Sequence, residues 1–391
     1  MLLLVDVNHG ALSLAKYFLE REGEKVAIYD IYKKTLKDEN AKKEYLKLKE
    51  KYNNITLFLE EPNFEDFEVI APIHCPIDVN FKNFHEVVSE IINKEYKDKK
   101  IICITGVKGK TTTTELIYHI LKEDYNIFLH NSNKGSITPT ALLNVLDNED
   151  SYEYFIFECS LGLVSCEFGA ITNIFENYKI AKNRRDALTA KFSTLNFAKK
   201  AYINKRDVEE YKVAIEHSNL HVLDTKTKIL NKYPLRFLYD NNIFKFNNSV
   251  FGLHYVENSI FAYEICKNFV DTETILKKIE TFKINNRMNI EKINNYYVVK
   301  NINPGLDVKA IDFAIRDFLE MFKDGDIYVG GDFNVTCEEI DIFKLTKILK
   351  KYNTKYYFIG DIGKELLKFI KGVYKNNIEI RNNTLIILKR N

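Results

Sequence analysis

Short apolar runs alternate with helically spaced segments along the whole chain. Leu2 to Val7 is an apolar run, Leu12 to Arg21 has helical spacing, and Lys25 to Tyr29 alternates as a second strand. A charged helical stretch follows, then Ile55 to Leu59 and Val69 to Ala71 as further short strands. This strand–helix–strand rhythm predicts a small Rossmann-like domain. The charged triplet Asp98-Lys99-Lys100 is a candidate hinge.

A new strand, Ile101-Ile102-Cys103-Ile104, runs straight into a Gly-Lys-Thr turn and a helix. Tyr154 to Glu158 and Gly169 to Asn173 read as two more strands of the same sheet. Residues 183 to 218 look helical and basic, 220 to 250 look like short strands and turns, and helical patterns return from Val256 to Phe282. The remainder has its own rhythm, with strands at Tyr296 to Val299, Ile327 to Val329, Tyr356 to Ile359 and Thr384 to Leu388 and a helix from Val308 to Phe322. The expectation is an α/β protein of three domains. These are an N-terminal Rossmann-like substrate domain (1–97), a central P-loop ATP-binding domain (98–283) and a C-terminal Rossmann-like domain (284–391).

Composition narrows the class. The 57 basic residues nearly balance 55 acidic ones, leaving a net charge of +2. A bulk nucleic-acid binder carries a basic excess, so no nucleic-acid partner is expected. No apolar run reaches the ~18 residues of a membrane span. The opening MLLLVDVNHG lacks the basic segment and cleavage site of a signal peptide. A cytoplasmic protein with no membrane partner, monomeric or homodimeric, is expected. The six cysteines, Cys75, Cys103, Cys159, Cys166, Cys266 and Cys337, form no CxxC pair and several lie in apolar runs. They read as reduced, buried thiols rather than a zinc site.

The strongest chemical signal is Thr105-Gly106-Val107-Lys108-Gly109-Lys110-Thr111-Thr112, between an apolar strand and an amphipathic helix. That is the setting of a phosphate loop. Glycines let the backbone approach the phosphates, whose oxygens meet N–H groups and the positive end of the helix dipole. Lys110 can neutralise the β- and γ-phosphates, and the hydroxyl of Thr111 or Thr112 can ligate Mg²⁺. The spacing is the short GxxGKTT form, with Ile104 where the longer motif has its first glycine.

Glu158 ends an apolar strand, Phe155-Ile156-Phe157-Glu158. Strand C-termini of open α/β sheets face the ligand crevice, so Glu158 can meet the same Mg²⁺. Ile171-Thr172-Asn173-Ile174 is a second polar strand end. Lys191, in Ala190-Lys191-Phe192, reads by itself as a solvated lysine. The His and Asn of Gly252-Leu253-His254-Tyr255-Val256-Glu257-Asn258 read by themselves as helix-capping residues.

In this order, the segments resemble the Mur ligase family. Its TGxxGKT[ST] loop matches Thr105 to Thr112, its acidic strand end Glu158, its Thr-Asn-Ile strand end Thr172 to Ile174. Its GxHNxxN helix start resembles Gly252 to Asn258, with Tyr255 for the first Asn. The resemblance implies a central P-loop ATPase domain flanked by Rossmann-like domains. It further implies that Thr111 and Glu158 hold Mg²⁺, Lys110 the γ-phosphate, Asn258 adenine, that Lys191 is carbamylated to support a second Mg²⁺, and that Arg287 opens the C-terminal domain.

The chain departs from that family in two places. Glu176 and Asn177 stand where an Asp-His pair is usual, and Lys300 to Gly305 lacks the customary aspartate. One branch, the Mur-ligase-like coenzyme F(430) synthetases of methanogenic archaea, is similar in these features and in Val5 to Gly10, Ala71 to Pro76, Ile137 to Pro139 and Cys337 to Asp341. That branch implies ATP-dependent activation of a propionate on a nickel tetrapyrrole seco-acid, then attack by a carbon of the same macrocycle. Nickel would arrive as part of the substrate. His9 and His74, on loops after N-terminal strands, would bind substrate carboxylates or shift protons. Lys134, Lys179, Arg184 and Arg185 would meet the tetrapyrrole carboxylates. Two other readings remain at this point: a carboxylate–amine ligase such as a pseudomurein peptide ligase, and a P-loop kinase or NTP-driven switch.

Overall fold

A computed structural model describes residues 1–175, 177–333 and 340–390. The chain divides into two compact units. One comprises residues 1–225 and 260–270, the other 226–259 and 271–391.

The first unit holds two parallel sheets. The N-terminal sheet has the order Ile55–Phe58, Val26–Tyr29, Leu2–Val5, Glu68–Ala71, Lys82–Asn83. Its central strands are buried on both faces, as Leu3, Leu4, Val5, Ala27 and Ile28 show, which is why they read as unbroken apolar runs rather than alternating ones. The second sheet has the order Leu220–Leu223, Ala198–Asn204, Cys166–Ile171, Lys100–Thr105, Tyr154–Glu158, Ile127–His130. Every pairing in it is parallel. One apolar core runs through both sheets' helices. Leu14 and Val88 belong to it together with Leu142, Phe155 and Phe157. Each such buried side chain contributes about 1.5–3 kcal/mol, so the N-terminal sheet is seated on the second one.

The second unit carries a six-stranded sheet of order Arg287–Ile293, Tyr296–Ile302, Thr384–Lys389, Asp326–Gly331, Tyr356–Ile359, Val373–Tyr374. Its first pair is an antiparallel hairpin and the rest is parallel. A three-stranded antiparallel sheet, Lys228–Lys232, Leu235–Tyr239 and Asn242–Lys245, precedes it.

Several expectations need correction. Residues 183 to 218 are not one helical region: Ala198–Asn204 is an interior strand between helices Ala187–Ser193 and Lys205–Tyr211. Two adjacent lysines, Lys199 and Lys200, interrupt its apolar pattern near its start, while Ala198, Ala201, Tyr202, Ile203 and Asn204 are buried. Strand Ile127–His130 was not anticipated, nor was the hairpin arm Arg287–Ile293. The strand expected at Gly169 to Asn173 spans Cys166–Ile171, which leaves Thr172 and Asn173 beyond its end. The expected helical run from Val256 to Phe282 is two helices, His254–Cys266 and Thr272–Thr281. The second is capped by the Asp271 side chain, which accepts from Thr274 N. Cys75, Cys103, Cys159, Cys166 and Cys266 are free and buried. Cys337, Glu338, Glu339 and Glu176 lie outside the described residues.

Candidate functional site

The phosphate loop joins strand Lys100–Thr105 to helix Lys110–Leu121. Gly106 and Gly109 adopt φ of +141° and +86°, the left-handed region in which only glycine is unstrained. A Cβ on Gly106 would lie 2.2 Å from Thr172 Oγ1. The loop is tied down by the neighbouring strand end. Val107 N donates to Asn173 O (2.8 Å), Lys108 N to Asn173 Oδ1 (3.0 Å), and Asn173 Nδ2 to Lys108 O (2.8 Å). Thr172 Oγ1 donates to Lys108 O at 2.6 Å. No side chain caps the helix at Gly109. Its first N–H groups and dipole are therefore offered to an anion.

Opposite the loop stands Glu158, 2% exposed, not the solvated strand-end glutamate that its position alone would permit. Thr111 Oγ1 donates to its Oε2 at 2.9 Å, and Lys110 Nζ is 3.8 Å from its Oε1. Ser132 completes the cluster: its N donates to Glu158 Oε2 (3.1 Å) and its hydroxyl is 2.9 Å from Thr111 Oγ1. Thr112 is buried on the same first helical turn, and Thr105 Oγ1 is buried with no hydrogen-bond partner. A carboxylate and two hydroxyls converge here. Oxygen donors of this kind suit a hard divalent cation.

Lys191 is 1% exposed on helix Ala187–Ser193, which corrects its reading as a solvated lysine. Its Nζ lies over the Tyr178 ring at 5.7 Å. Its charge bears on His85, whose imidazole is pushed down to about 4, chiefly by burial. His85 donates from Nε2 to Ser160 O at 2.9 Å, just beyond Glu158.

The segment 131–138 links this cluster to the N-terminal sheet. Ser132 touches Glu158, Ser160 N donates to Ile137 O (2.9 Å), and Thr140 Oγ1 donates to His9 O at 3.4 Å. Gly10, at φ +115°, lies so close that a Cβ would sit 1.9 Å from Thr140 Oγ1. His9 ends the turn Val7–His9, and its ring meets His74 edge-on at 4.3 Å. The His74 imidazole is held at about 4, first by burial and then by the neighbouring His9. Asp6, His9 and His74 bring ligand-type atoms within 4.8 Å of one another.

Immediately after His74 an open cavity of about 420 Å³ begins, lined by Cys75, Ile77, Asp78, Asn80, Arg184 and Arg185 among others. Arg185 donates to Ile73 O (2.9 Å) and covers the Phe81 ring, while Arg184 pairs with Asp78 at 3.1 Å. The other two candidate cations lie elsewhere. Lys134 Nζ sits over the rings of Tyr118 and Phe128, and Lys179 pairs with Asp186 at 3.5 Å. Asn258 and Arg287 belong to the second unit. Asn258 is buried inside helix His254–Cys266 rather than capping it, and Arg287 begins a strand, its carbonyl accepting from the Tyr255 hydroxyl.

Sequence reasoning missed Ser132, Asp6 and Asp207. Asp207, buried on helix Lys205–Tyr211, accepts from Ile174 N at 2.7 Å and so holds the Thr172–Ile174 segment. Ser132 was findable: it follows a strand end, where ligands gather in such sheets, but that strand itself was unread. Asp6 lay in the Val5 to Gly10 segment but was given no role there, and Asp207 carried no motif.

Comparison with known proteins gives one family and one fold. Residues 290–389 match the family model "Coenzyme F430 synthetase CfbE, C-terminal domain". The coenzyme F(430) synthetase of Methanocaldococcus jannaschii is 55% identical, over 99% of this chain and 98% of that one. Among solved structures, the MurF ligase of Thermotoga maritima in complex with ADP is similar at a TM-score of 0.59 and 12% identity, covering 88% of this chain and 87% of that chain. A pseudomurein peptide ligase type C from Methanothermus fervidus is similar at 0.54 and 16%, covering 100% and 97%. The fold is therefore that of the Mur ligases, and by its likeness over nearly its whole length the chain belongs to the coenzyme F(430) synthetase family.

Proposed function

We propose that the protein uses ATP to activate a propionate carboxylate of a nickel tetrapyrrole seco-acid and closes a carbocyclic ring on it, yielding coenzyme F(430), ADP and phosphate. The observation that carries this reading is the phosphate loop facing a buried Glu158 in a chain 55% identical to a coenzyme F(430) synthetase. The chemistry then follows from charge. A carboxylate must approach a γ-phosphate, and two anions repel unless cations and oriented N–H groups stand between them.

Residues 105–112 would bind the phosphates, with Lys110 beside the γ-phosphate. Thr111 and Glu158 are the oxygen donors for Mg²⁺, which when bound offsets charge on the phosphate oxygens. The MurF ligase of Thermotoga maritima carries ADP, which supports a nucleotide on this fold. Asn258 is assigned to adenine and Arg287 to the nucleotide side of the C-terminal domain. Lys191, as a carbamate, would supply a carboxylate-like ligand for a second Mg²⁺. His9, His74, Lys134, Lys179, Arg184 and Arg185 are the proposed substrate contacts. The two arginines carry most weight, because they line the cavity. The domain limits 1–97, 98–283 and 284–391 and a cytoplasmic location belong to the same proposal. No helix among the described residues is long and apolar enough to cross a membrane.

The test is a mass spectrum of the nickel seco-acid after incubation with protein, ATP and Mg²⁺, without amino acids. Loss of one water with stoichiometric ADP and phosphate is expected. Turnover only when an amino acid is added would replace the cyclase with a carboxylate–amine ligase, and phosphate left on the substrate would make it a kinase.

A further inference from the structure

Acyl transfer to a carbon or nitrogen nucleophile releases a proton that a base must accept. We infer that His9, oriented by Asp6, is the base that accepts this proton. The inference rests on the acyl-phosphate reading above.

Asp6 follows strand Leu2–Val5 at φ +81° and is completely buried. An L-residue in that conformation is strained and persists only where its surroundings hold it. Both carboxylate oxygens are engaged: Oδ1 accepts from Asn8 N at 2.9 Å, and Oδ2 lies 2.7 Å from His9 Nδ1. A carboxylate can only accept, so His9 Nδ1 is the donor of this bond, and in the neutral ring the lone pair then lies on Nε2. The His9 side chain keeps 21% exposure while Asp6 keeps none. A buried carboxylate that fixes tautomer and ring, beside a partly open imidazole, is the usual arrangement of a general base.

The groups facing His9 do not compete for the proton. His74, edge-on at 4.3 Å, is neutral near pH 7, held at about 4 by burial. Cys75 is protonated, pushed up to about 12 by burial and by Asp6. Tyr32 is 6.5 Å away, ring to ring. Thr140, on the helix that follows segment 131–138, contacts the His9 turn, Ser132 of that segment touches Glu158, and the arginine-lined cavity opens directly after His74.

Three ligand-type residues invite a metal site instead. Bonds of ~2.0–2.1 Å in a tetrahedral site separate two ligand atoms by about 3.3 Å. The Asp6–His9 separation of 2.7 Å is that of a charge-assisted hydrogen bond.

The step balances without any further reactant. The acyl carbon forms a bond to the attacking carbon, its bond to the phosphate oxygen breaks with the electron pair leaving on phosphate, and the C–H electron pair returns to the macrocycle as His9 Nε2 takes the proton.

The experiment is single turnover with the nickel seco-acid, ATP and Mg²⁺, reading ADP, hydroxylamine-trapped acyl phosphate and closed ring separately. His9→Ala should slow ring closure about 10²–10⁴-fold more than it slows formation of ADP and trappable acyl phosphate at saturating substrate, and added imidazole should restore closure in part. Asp6→Asn should lower the closure kcat with KM unchanged, which a merely structural aspartate would not do selectively. Unchanged ATP affinity in both variants shows that they fold, and His9→Gln serves should His9→Ala not. If ADP formation and closure fall together, or if the protein binds one Co²⁺ that His9→Ala loses, the inference is overturned. If the unaltered protein forms no ADP with the tetrapyrrole, the acyl-phosphate substrate reading fails instead. The same comparison with an amine acceptor and its carboxylate partner then decides for or against His9.

Discussion

Thr111 Oγ1 donates to Glu158 Oε2 at 2.9 Å, so the first turn of one helix and the end of a strand 47 positions later meet at one carboxylate. Lys110 approaches the other oxygen of that carboxylate. Removing the charge while keeping the shape isolates the electrostatic role. Glu158→Gln should lower ADP formation by about 10²–10³-fold and raise the Mg²⁺ concentration needed for half-maximal rate. A Mg²⁺ titration of ADP release checks both.

Gly106 faces a second constraint, from Thr172. Gly106→Ala combines positive φ with a Cβ 2.2 Å from Thr172 Oγ1. Strain and overlap together should cost about 2–4 kcal/mol and abolish nucleotide binding. Adding Thr172→Ala should recover part of the stability, because it removes the overlap and leaves only the backbone strain. Denaturant melts of the two single variants and the double variant measure the coupling.

His85 makes stability depend on pH. Its imidazole is held at about 4, mainly by burial, against 6.5 for an ordinary histidine. Nδ1 has no hydrogen-bond partner. As pH falls below ~6.5 the unfolded chain gains a proton that the folded one refuses until about 4, so stability is lost across that window and the loss ends below it. The contribution is of order 3 kcal/mol at most. His85→Gln should flatten the curve of unfolding free energy between pH 6.5 and 4, the range the two values set.

Arg184 and Arg185 separate binding from scaffold. Arg184 pairs with exposed Asp78 on the cavity wall, whereas Arg185 holds Ile73 O and covers Phe81. Arg184→Ala should raise the apparent tetrapyrrole constant several-fold without changing the melting temperature, since surface pairs stabilise little. Arg185→Ala should raise that constant and also lower the melting temperature by a few degrees. An unchanged constant in both variants removes the cavity from the substrate site.

Lys191→Ala should reduce ADP formation about 10²-fold while leaving ATP affinity within a few-fold. If the lysine acts as a carbamate, the activity of the unaltered protein should rise with added bicarbonate and that of the variant should not.

The local signals needed no tertiary structure. Residues 105–112 are legible through glycines and a lysine at the spacing that a phosphate would require, and the unbroken apolar strands around them announce a parallel sheet buried on both faces. Glu158 was legible for the same reason, since a charge at the end of such a strand has no place in the core unless a ligand or partner receives it. Other features became visible only in three dimensions. Strand Ala198–Asn204 is too polar at its start to announce itself, and pairing on both sides decides it. Lys191 looks like any surface lysine until its helix turns it inward. Asp6 and His9 are three residues apart in an unremarkable turn. Only the strained backbone at Asp6, the His74 ring from a different strand end and the Thr140 contact single them out. A motif is readable when one ligand dictates the spacing of adjacent residues. A constellation drawn from separate strand ends is decided by packing, which no single stretch of sequence records.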